Sequence, residues 1–198
     1  MPRKSRRRTD KDDVALINMM FLLMKDVLKC YDHMETVERS GKKGRYFWRR
    51  VFVRSVFAAI EGACECLRRQ AFTAEVNKVP KQIFLAKLSV LAGETYYVTS
   101  KGEIRAQPLR IRFLDHVLLS LKSYAEAQGV RYRTSKGKHW QRIQKALQVR
   151  HRITHPKRLT ELTISKAEIG DVDFAFKWFS NELGCIMREK GTKLPTLL

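Results

Sequence analysis

An arginine and a histidine stand five residues apart in a segment that reads Val-Arg-His-Arg-Ile-Thr-His-Pro-Lys from position 149 to position 157. They are Arg150 and His155, and Pro156 follows the histidine directly. The planar guanidinium fork of an arginine stays charged at any working pH and suits a phosphate. A histidine can take up and release a proton near neutral pH. The pair therefore has the residue types that chemistry at a phosphate group uses.

Spacing alone does not single out this pair. A similar spacing occurs in Arg110/His116 and in Arg133/His139, and a chain with 21 Arg and 5 His should hold about 1.6 such pairs by chance. The context of the pair at 150 and 155 is different. It continues a helical pattern, and Pro156 closes that pattern because proline cannot continue a helix.

The segment from Arg150 to His155 resembles the R-x4-6-H motif of HEPN domains, which are small α-helical bundles and in many cases metal-independent ribonucleases. The resemblance implies that Arg150 binds the scissile phosphate and that His155 acts as general acid or base. His151 stands at the polar second position and would orient the other two. Members commonly bring an acidic side chain from an earlier helix near the motif, which points to Glu61, with Glu65 as the second choice. Glu61 can equally be a partner for Arg54 or Arg68 on a solvated face.

The reaction that the resemblance implies is attack of the ribose 2′-OH on phosphorus, which leaves a 2′,3′-cyclic phosphate without any metal. In such ribonucleases the motifs of two subunits face each other across a groove, so we expect a homodimer. A toxin or defence setting is also implied, with an inhibitory protein partner of unknown identity. Some toxin members carry a modifiable tyrosine two residues past the histidine. This chain has Lys157 there, so regulation at such a tyrosine is not expected.

Helix geometry places a condition on this site. Five residues turn an ideal α-helix by about 500°, which sets Arg150 and His155 roughly 140° apart around the axis. They can share one narrow face only if the last turn is distorted, and Pro156 makes a loosened last turn a reasonable expectation. Otherwise the two side chains act around the edge of a groove.

The charge balance favours a polyanionic partner. The chain has 40 Lys and Arg against 20 Asp and Glu, a net charge of +20, and residues 101–160 hold 15 of the basic side chains with 3 acids. Such a field gives salt-dependent affinity for nucleic acid, and RNA is the expected partner. The predicted nucleic-acid contacts are Arg152, Lys157, Arg158, Arg142, Lys138 and Arg54.

A second basic segment, residues 41–54, has no acid and includes Tyr46, Phe47 and Trp48. Basic residues beside aromatic rings can bind single strands by charge and stacking. Phe47 and Trp48, with Val51 and Phe52, also fit the buried side of a helix. The sequence favours burial for this segment.

No cofactor or metal is expected. His151 and His155 are four residues apart, but no convincing Cys or carboxylate ligand lies near them in sequence. The four cysteines have neither disulfide-framework nor zinc spacing and suit a reducing compartment. The apolar stretch at 14–24 is too short to span a bilayer. We therefore expect a cytoplasmic protein that does not enter the membrane.

The elements that must position these residues are mainly helices. The patterns predict a helical bundle with a β-hairpin near residues 96–105 that turns at Lys101 and Gly102. The resemblance implies that this is an up-and-down bundle of HEPN type. One domain is expected over 12–190, after a disordered basic arm at 1–11 and before a loose tail at 191–198. The helix with the motif is expected from about 138 to 154, and Ser165 with Glu168 resembles a capping box.

Two other functions fit the same residues. The chain can be a non-catalytic basic helical module that binds nucleic acid or a partner protein, with Arg150 and His155 as phosphate contacts. It can also be a structural bundle in which the charge serves solubility or an acidic partner. In that case Arg152 and His155 would only complement the dipole at the end of a helix.

Overall fold

Six α-helices and one hairpin form the described part of the chain. The computed structural model describes residues 10–41, 44–77, 85–134, 137 and 139–190. The helices are α1 (Asp10–Arg39), α2 (Arg45–Val76), α3 (Leu85–Ala92), α4 (Phe113–Ala127), α5 (His139–Thr154) and α6 (Lys166–Glu189), with a short 3-10 helix at Leu159–Leu162. Strands β1 (Glu94–Val98) and β2 (Ile104–Pro108) lie between α3 and α4. The predicted mainly helical class with a small hairpin is confirmed.

The predicted basic arm and the predicted tail lie mostly beyond the part of the chain that the structure describes. Helix α1 begins at Asp10, which takes the last two residues of the predicted arm into the helix. The rest of that arm and the predicted tail at 191–198 lie outside the described residues. None of the described helices is both long and apolar enough to cross a membrane.

The described residues divide into two compact units. One consists of residues 10–18 and 64–132, and the other of residues 19–63 and 133–190. The predicted motif and Glu61 both belong to the second unit. The expectation of one domain over 12–190 stays a prediction.

The first unit combines an apolar core with a lysine that joins three helices. Leu67, Leu91 and Leu121, from α2, α3 and α4, are fully buried. The Lys87 ammonium on α3 lies 3.2 Å from Glu75 on α2 and 2.8 Å from Glu126 on α4. Burial lowers the pKa of Lys87, but the hydrogen bonds to the two carboxylates outweigh it, so the pKa is raised overall.

The hairpin lies where it was predicted, and its strands are longer than the sequence pattern indicated. Glu94 pairs with Pro108 at the open end and Val98 with Ile104 near the turn. The Thr99 N–H donates to the Glu103 carbonyl at 2.9 Å and closes the turn. Nearly all of its side chains are exposed, including Val98 and Ile104.

The second unit has a core built from residues at helical spacing on α1, α2, α5 and α6. Side chains three, four or seven positions apart fall on one face of a helix, and these faces are the apolar ones. The buried residues on them are Met20, Met24, Val27, Met34, Phe52, Val56, Ile60, Ile143, Ala146, Val149, Ile153, Val172, Phe179 and Ile186. Helices α5 and α6 pack against each other along this core.

Local signals in the sequence fix where the helices of this unit begin and end. Gly41 and Gly44 adopt φ values of 63° and 110°, which side chains with a Cβ rarely adopt, and they separate α1 from α2. Ser165 accepts a hydrogen bond from the Glu168 N–H at 3.2 Å, and the Glu168 carboxylate accepts from the Ser165 N–H at 2.7 Å. The predicted capping box at the start of α6 is therefore present.

A buried ion pair joins α1 to α2. The Arg49 side chain is only 7% exposed, and its Nε lies 2.6 Å from a carboxylate oxygen of Glu38. A second guanidinium nitrogen donates to the other oxygen of Glu38 at 2.9 Å. The Arg49 hydrogen bond, opposed by burial and aided by nearby positive charge, holds the pKa of Glu38 below its usual value.

Replacing Glu38 with Gln should lower the free energy of unfolding at pH 7 by about 3 kcal/mol, because it leaves the buried Arg49 charge without a counter-charge. Since the folded pKa of Glu38 is depressed, its contribution is complete above the usual value of 4.5 and is lost as the pH falls through the folded pKa. Urea unfolding at pH 7 and at progressively lower pH should show the two proteins converging in acid. The matched control is Glu35→Gln on the exposed ion pair with Arg39. Equal stability of wild type and Glu38→Gln at pH 7 would contradict this account.

Candidate functional site

Helix α5 presents the predicted motif at its C-terminal end. Ile143, Ala146, Val149 and Ile153 are buried and fix the rotation of the helix. Because successive residues turn by about 100°, this rotation places Arg150 on one flank of the buried face and Arg152 on the other. The residues between these flanks point away from the core, and His151 and His155 are both exposed.

Arg150 and Glu61 form an ion pair between α5 and α2. The guanidinium Nη2 donates to a carboxylate oxygen of Glu61. The Arg150 side chain is 26% exposed and that of Glu61 is 42% exposed, so the pair lies at the surface of the unit. The Arg150 guanidinium also lies 5.7 Å from the centre of the Phe57 ring. The structure thus brings together two of the four residues that were predicted to be catalytic.

His155 stands one position beyond the end of α5 and still continues its hydrogen bonding. Its backbone N–H donates to the His151 carbonyl at 3.0 Å, as in a regular helix. The Thr154 hydroxyl donates to the Arg150 carbonyl at 2.7 Å and reinforces the same turn. The expectation of a loosened last turn is therefore wrong. Pro156 ends the helix after His155 and leaves the separation of about 140° between Arg150 and His155 in place.

Three arginines hold the segment that connects α5 to α6. Arg50 donates to the Leu162 carbonyl at 3.1 Å, and Arg152 donates to the Thr163 carbonyl at 3.0 Å. Arg49 donates to the carbonyl of the next residue, Ile164, whose own side chain is buried. Three successive carbonyls therefore receive charged donors from α2 and α5, and this determines where the chain after His155 can run.

Arg152 also joins the motif helix to the start of α6. Its Nη1 lies 2.8 Å from the carboxylate of Glu168. Burial raises the pKa of Glu168, whereas hydrogen bonds from the Ser165 backbone and from Arg152 lower it. The hydrogen bonds together outweigh burial, so the pKa lies below its usual value. Among the described residues, Arg152 Nε is one of three buried side-chain donors or acceptors without a hydrogen-bond partner. Arg152 thus holds the connecting segment and the start of α6, and the sequence did not indicate these contacts.

Arg142 is likewise bound to carboxylate and carbonyl oxygens. Its Nε donates to Asp171 at 2.8 Å and its Nη2 to the Gly170 carbonyl at 3.0 Å. Its guanidinium also lies over the Phe174 ring, 4.3 Å from the centroid. A phosphate would have to compete with a carboxylate at Arg142 and at Arg152. These two are therefore weaker nucleic-acid contacts than their positions in sequence suggested.

The other predicted contacts are better placed for an anion. Arg54 is exposed and makes a long hydrogen bond of 3.5 Å to the Ile153 carbonyl at the end of α5. Lys157 and Arg158 are exposed in the connecting segment, where the Lys157 N–H donates to Glu161 at 2.7 Å. Lys138 lies outside the described residues. The cations around His155 are therefore Arg54, Lys157 and Arg158.

The structure places two further residues differently from the sequence-based expectation. Glu65, the second choice for the acidic residue, accepts hydrogen bonds from Arg68 and Arg69 within the first unit. Phe47 was expected on the buried side of a helix, and it is 53% exposed. The signal that could have corrected Phe47 is its spacing from Arg54 and Glu61, seven and fourteen residues further along α2, because residues seven apart share a helix face.

Comparisons with protein-family models, with curated proteins and with solved structures find no match to this chain. Within the described part of the chain, no three His, Cys, Asp or Glu side chains are grouped so that they could hold a metal ion. Any functional assignment therefore depends on the residues and contacts given above.

Replacing Arg152 with Ala should loosen the connecting segment, because it removes both the hydrogen bond to Thr163 and the ion pair with Glu168. Limited trypsin digestion should then cut after Lys157 and Arg158 about ten times faster, since cleavage follows the population of locally opened chain. The control is Arg142→Ala, which removes another contact between α5 and α6 and leaves the segment bound. Unchanged cleavage at these two sites in Arg152→Ala would show that the arginine does not hold the segment.

Proposed function

We propose that the chain is a metal-independent endoribonuclease of HEPN type, in which Arg150 binds the scissile phosphate and His155 transfers protons. The observation that carries this proposal is the end of α5, where Arg150 is held at the surface by Glu61 and an exposed His155 directly follows the helix. The resemblance of the Arg150–His155 segment to the HEPN motif supplies the reaction.

The proposed step is an internal transfer at phosphorus. The ribose 2′-oxygen attacks the adjacent phosphorus and gives up its proton to a base, while the bond from phosphorus to the 5′-oxygen breaks and that oxygen takes a proton. The products are a 2′,3′-cyclic phosphate and a 5′-hydroxyl. Imidazole suits the transfers because its pKa lies near neutrality, and a guanidinium stabilises the charge that develops on the phosphoryl oxygens.

The ion pair with Glu61 does not prevent Arg150 from binding phosphate. A partly exposed ion pair contributes about 0 to 1 kcal/mol, so little stability is lost when a phosphate takes the place of the carboxylate. A phosphate can therefore replace Glu61 at the Arg150 guanidinium. Glu61 is in this proposal a positioning residue that keeps Arg150 on the α2 side of the site.

A homodimer forms part of the proposal. Arg150 and His155 point about 140° apart around one helix, so a single chain does not present both to one narrow face. Two copies facing each other across a groove would supply an arginine from one and a histidine from the other. His151, which lies between these two directions and is exposed, would border that groove and orient the reacting groups.

The expected setting follows from the same resemblance. The net charge of +20 supports RNA as the partner, and the proposed ribonuclease would act in the cytoplasm as a toxin or defence effector. Such an enzyme needs restraint in its own cell, which is the reason to expect an inhibitory protein partner.

A non-catalytic basic module that binds nucleic acid is the second candidate. It is favoured by the neutralisation of Arg150 by Glu61, which leaves Arg54, Lys157 and Arg158 as the exposed cations near the end of α5. This candidate predicts salt-sensitive binding of RNA without any cleavage.

Replacing His155 or Arg150 with Ala should lower RNA cleavage in EDTA at low salt by at least about a hundredfold, since acid–base groups and charge stabilisation each contribute on that scale. The assay should follow a labelled single-stranded RNA and identify cyclic phosphate ends. Arg39→Ala is the charge-matched control, because Arg39 is 81% exposed and distant in sequence from the motif. If the RNA stays intact and wild type and His155→Ala bind it equally well, the ribonuclease proposal is wrong and the chain is a non-catalytic binding module.

Replacing Glu61 with Gln should strengthen RNA binding and steepen its salt dependence by about one charge, because Arg150 then loses its counter-charge. Binding should be measured in the His155→Ala background, so that the RNA stays intact, over a range of salt concentrations. Glu35→Gln, on the exposed pair with Arg39, is the control and should change the salt dependence of binding less than Glu61→Gln does. If both substitutions change binding by the same amount, Arg150 is not a phosphate contact.

A further inference from the structure

The outer face of α2 carries an exposed aromatic ring in line with the candidate site. Phe47, Arg54 and Glu61 are spaced by seven residues and therefore fall within about 40° of one another around the helix. Arg50 and the exposed Ala58 extend the same stripe. All five residues belong to the second unit, together with Arg150 and His155.

Phe47 is held in place by its neighbours. Its ring and the Trp48 ring form a T-shaped pair, with centroids 5.3 Å apart and planes at 83°. The Trp48 ring in turn lies against the His33 ring on α1 at 4.1 Å. Despite these contacts Phe47 remains 53% exposed. A ring that is held by a neighbouring ring and is still half exposed can receive a planar group with little loss of side-chain entropy.

Positive charge connects this ring to Arg150. Arg50 and Arg54 bind backbone carbonyls at 3.1 and 3.5 Å. Within the described residues these carbonyls are their hydrogen-bond partners, so neither charge is neutralised by a carboxylate there. Residues 41–54 contain no acid. An anionic backbone can therefore follow the stripe from Glu61 and Arg150 towards Phe47.

We propose that this stripe is a binding track for unpaired RNA, with Arg54 and Arg50 on the phosphates and Phe47 stacking on a base. The inference rests on the proposed function, because it treats the end of α5 as the place where the strand is cut. Phe47 and Glu61 are fourteen residues apart, which is roughly 21 Å along the helix, so the stacked base lies a few nucleotides from the scissile phosphate. Stacking requires a splayed base, which a duplex does not offer, so the substrate is single-stranded.

Binding of a fluorescein-labelled, unstructured RNA of about 12 nucleotides tests the track by fluorescence anisotropy. Every protein should carry His155→Ala so that the RNA stays intact. Phe47→Ala should weaken binding of this strand about tenfold, the scale of one base–aromatic stack, and Phe47→Trp should preserve it. Binding of a duplex of the same sequence should not depend on Phe47. Leu22→Ala, which removes an exposed apolar side chain from α1, is the matched control and should bind as its parent does.

An abasic scan locates the stacked base. When single abasic sites are moved along the strand, one position should weaken binding to the parent protein and have no further effect on Phe47→Ala. Equal binding of the parent and Phe47→Ala, or an equal loss on single-stranded and duplex RNA, would overturn the track. Failure of the proposed enzyme is a separate result. If the wild-type chain does not cleave RNA but its RNA binding depends on Phe47, the binding track is supported and the catalytic role of His155 is contradicted.

Discussion

The buried charge of Arg49 is the constraint on which the second unit depends. A guanidinium that is almost wholly removed from water needs a counter-charge and hydrogen-bond acceptors, and breaking such a pair is expensive. Glu38 supplies the charge from α1, and the Ile164 carbonyl supplies an acceptor from the connecting segment just before α6. One side chain on α2 therefore fixes the end of one helix and the beginning of another.

The connecting segment between α5 and α6 follows from that constraint. Arg50 and Arg152 bind the two carbonyls that precede Ile164, so the segment is attached to α2 and α5 at three successive positions. The exposed cations Lys157 and Arg158 are presented by this attached segment. Basic residues thus have two functions here, to bind backbone carbonyls and to bind an anion, and in the proposed track Arg50 and Arg54 have both.

Helix α2 connects the fold to the proposed chemistry. Its inner face holds Phe52, Val56 and Ile60 in the core. Its outer face carries Phe47, Arg54 and Glu61 at seven-residue intervals. Because the inner face fixes the rotation of the helix, the outer residues cannot be moved independently. The proposed RNA track and the contact that holds Arg150 are therefore both set by the same core packing.

The sequence by itself determined the helical class, the hairpin, the capping box at Ser165 and the helix that carries Arg150 and His155, because hydrophobic periodicity, turn residues and caps act over a few neighbouring positions. Through a family resemblance it also indicated that the Glu61 carboxylate lies near the motif, without identifying the side chain that Glu61 binds. Only the tertiary structure decided that Glu61 binds Arg150, that Arg142 and Arg152 bind carboxylates, and that Phe47 is exposed. Each of these depends on contacts between helices that are distant in the chain. Local patterns do not encode which basic side chain a distant carboxylate or carbonyl will bind.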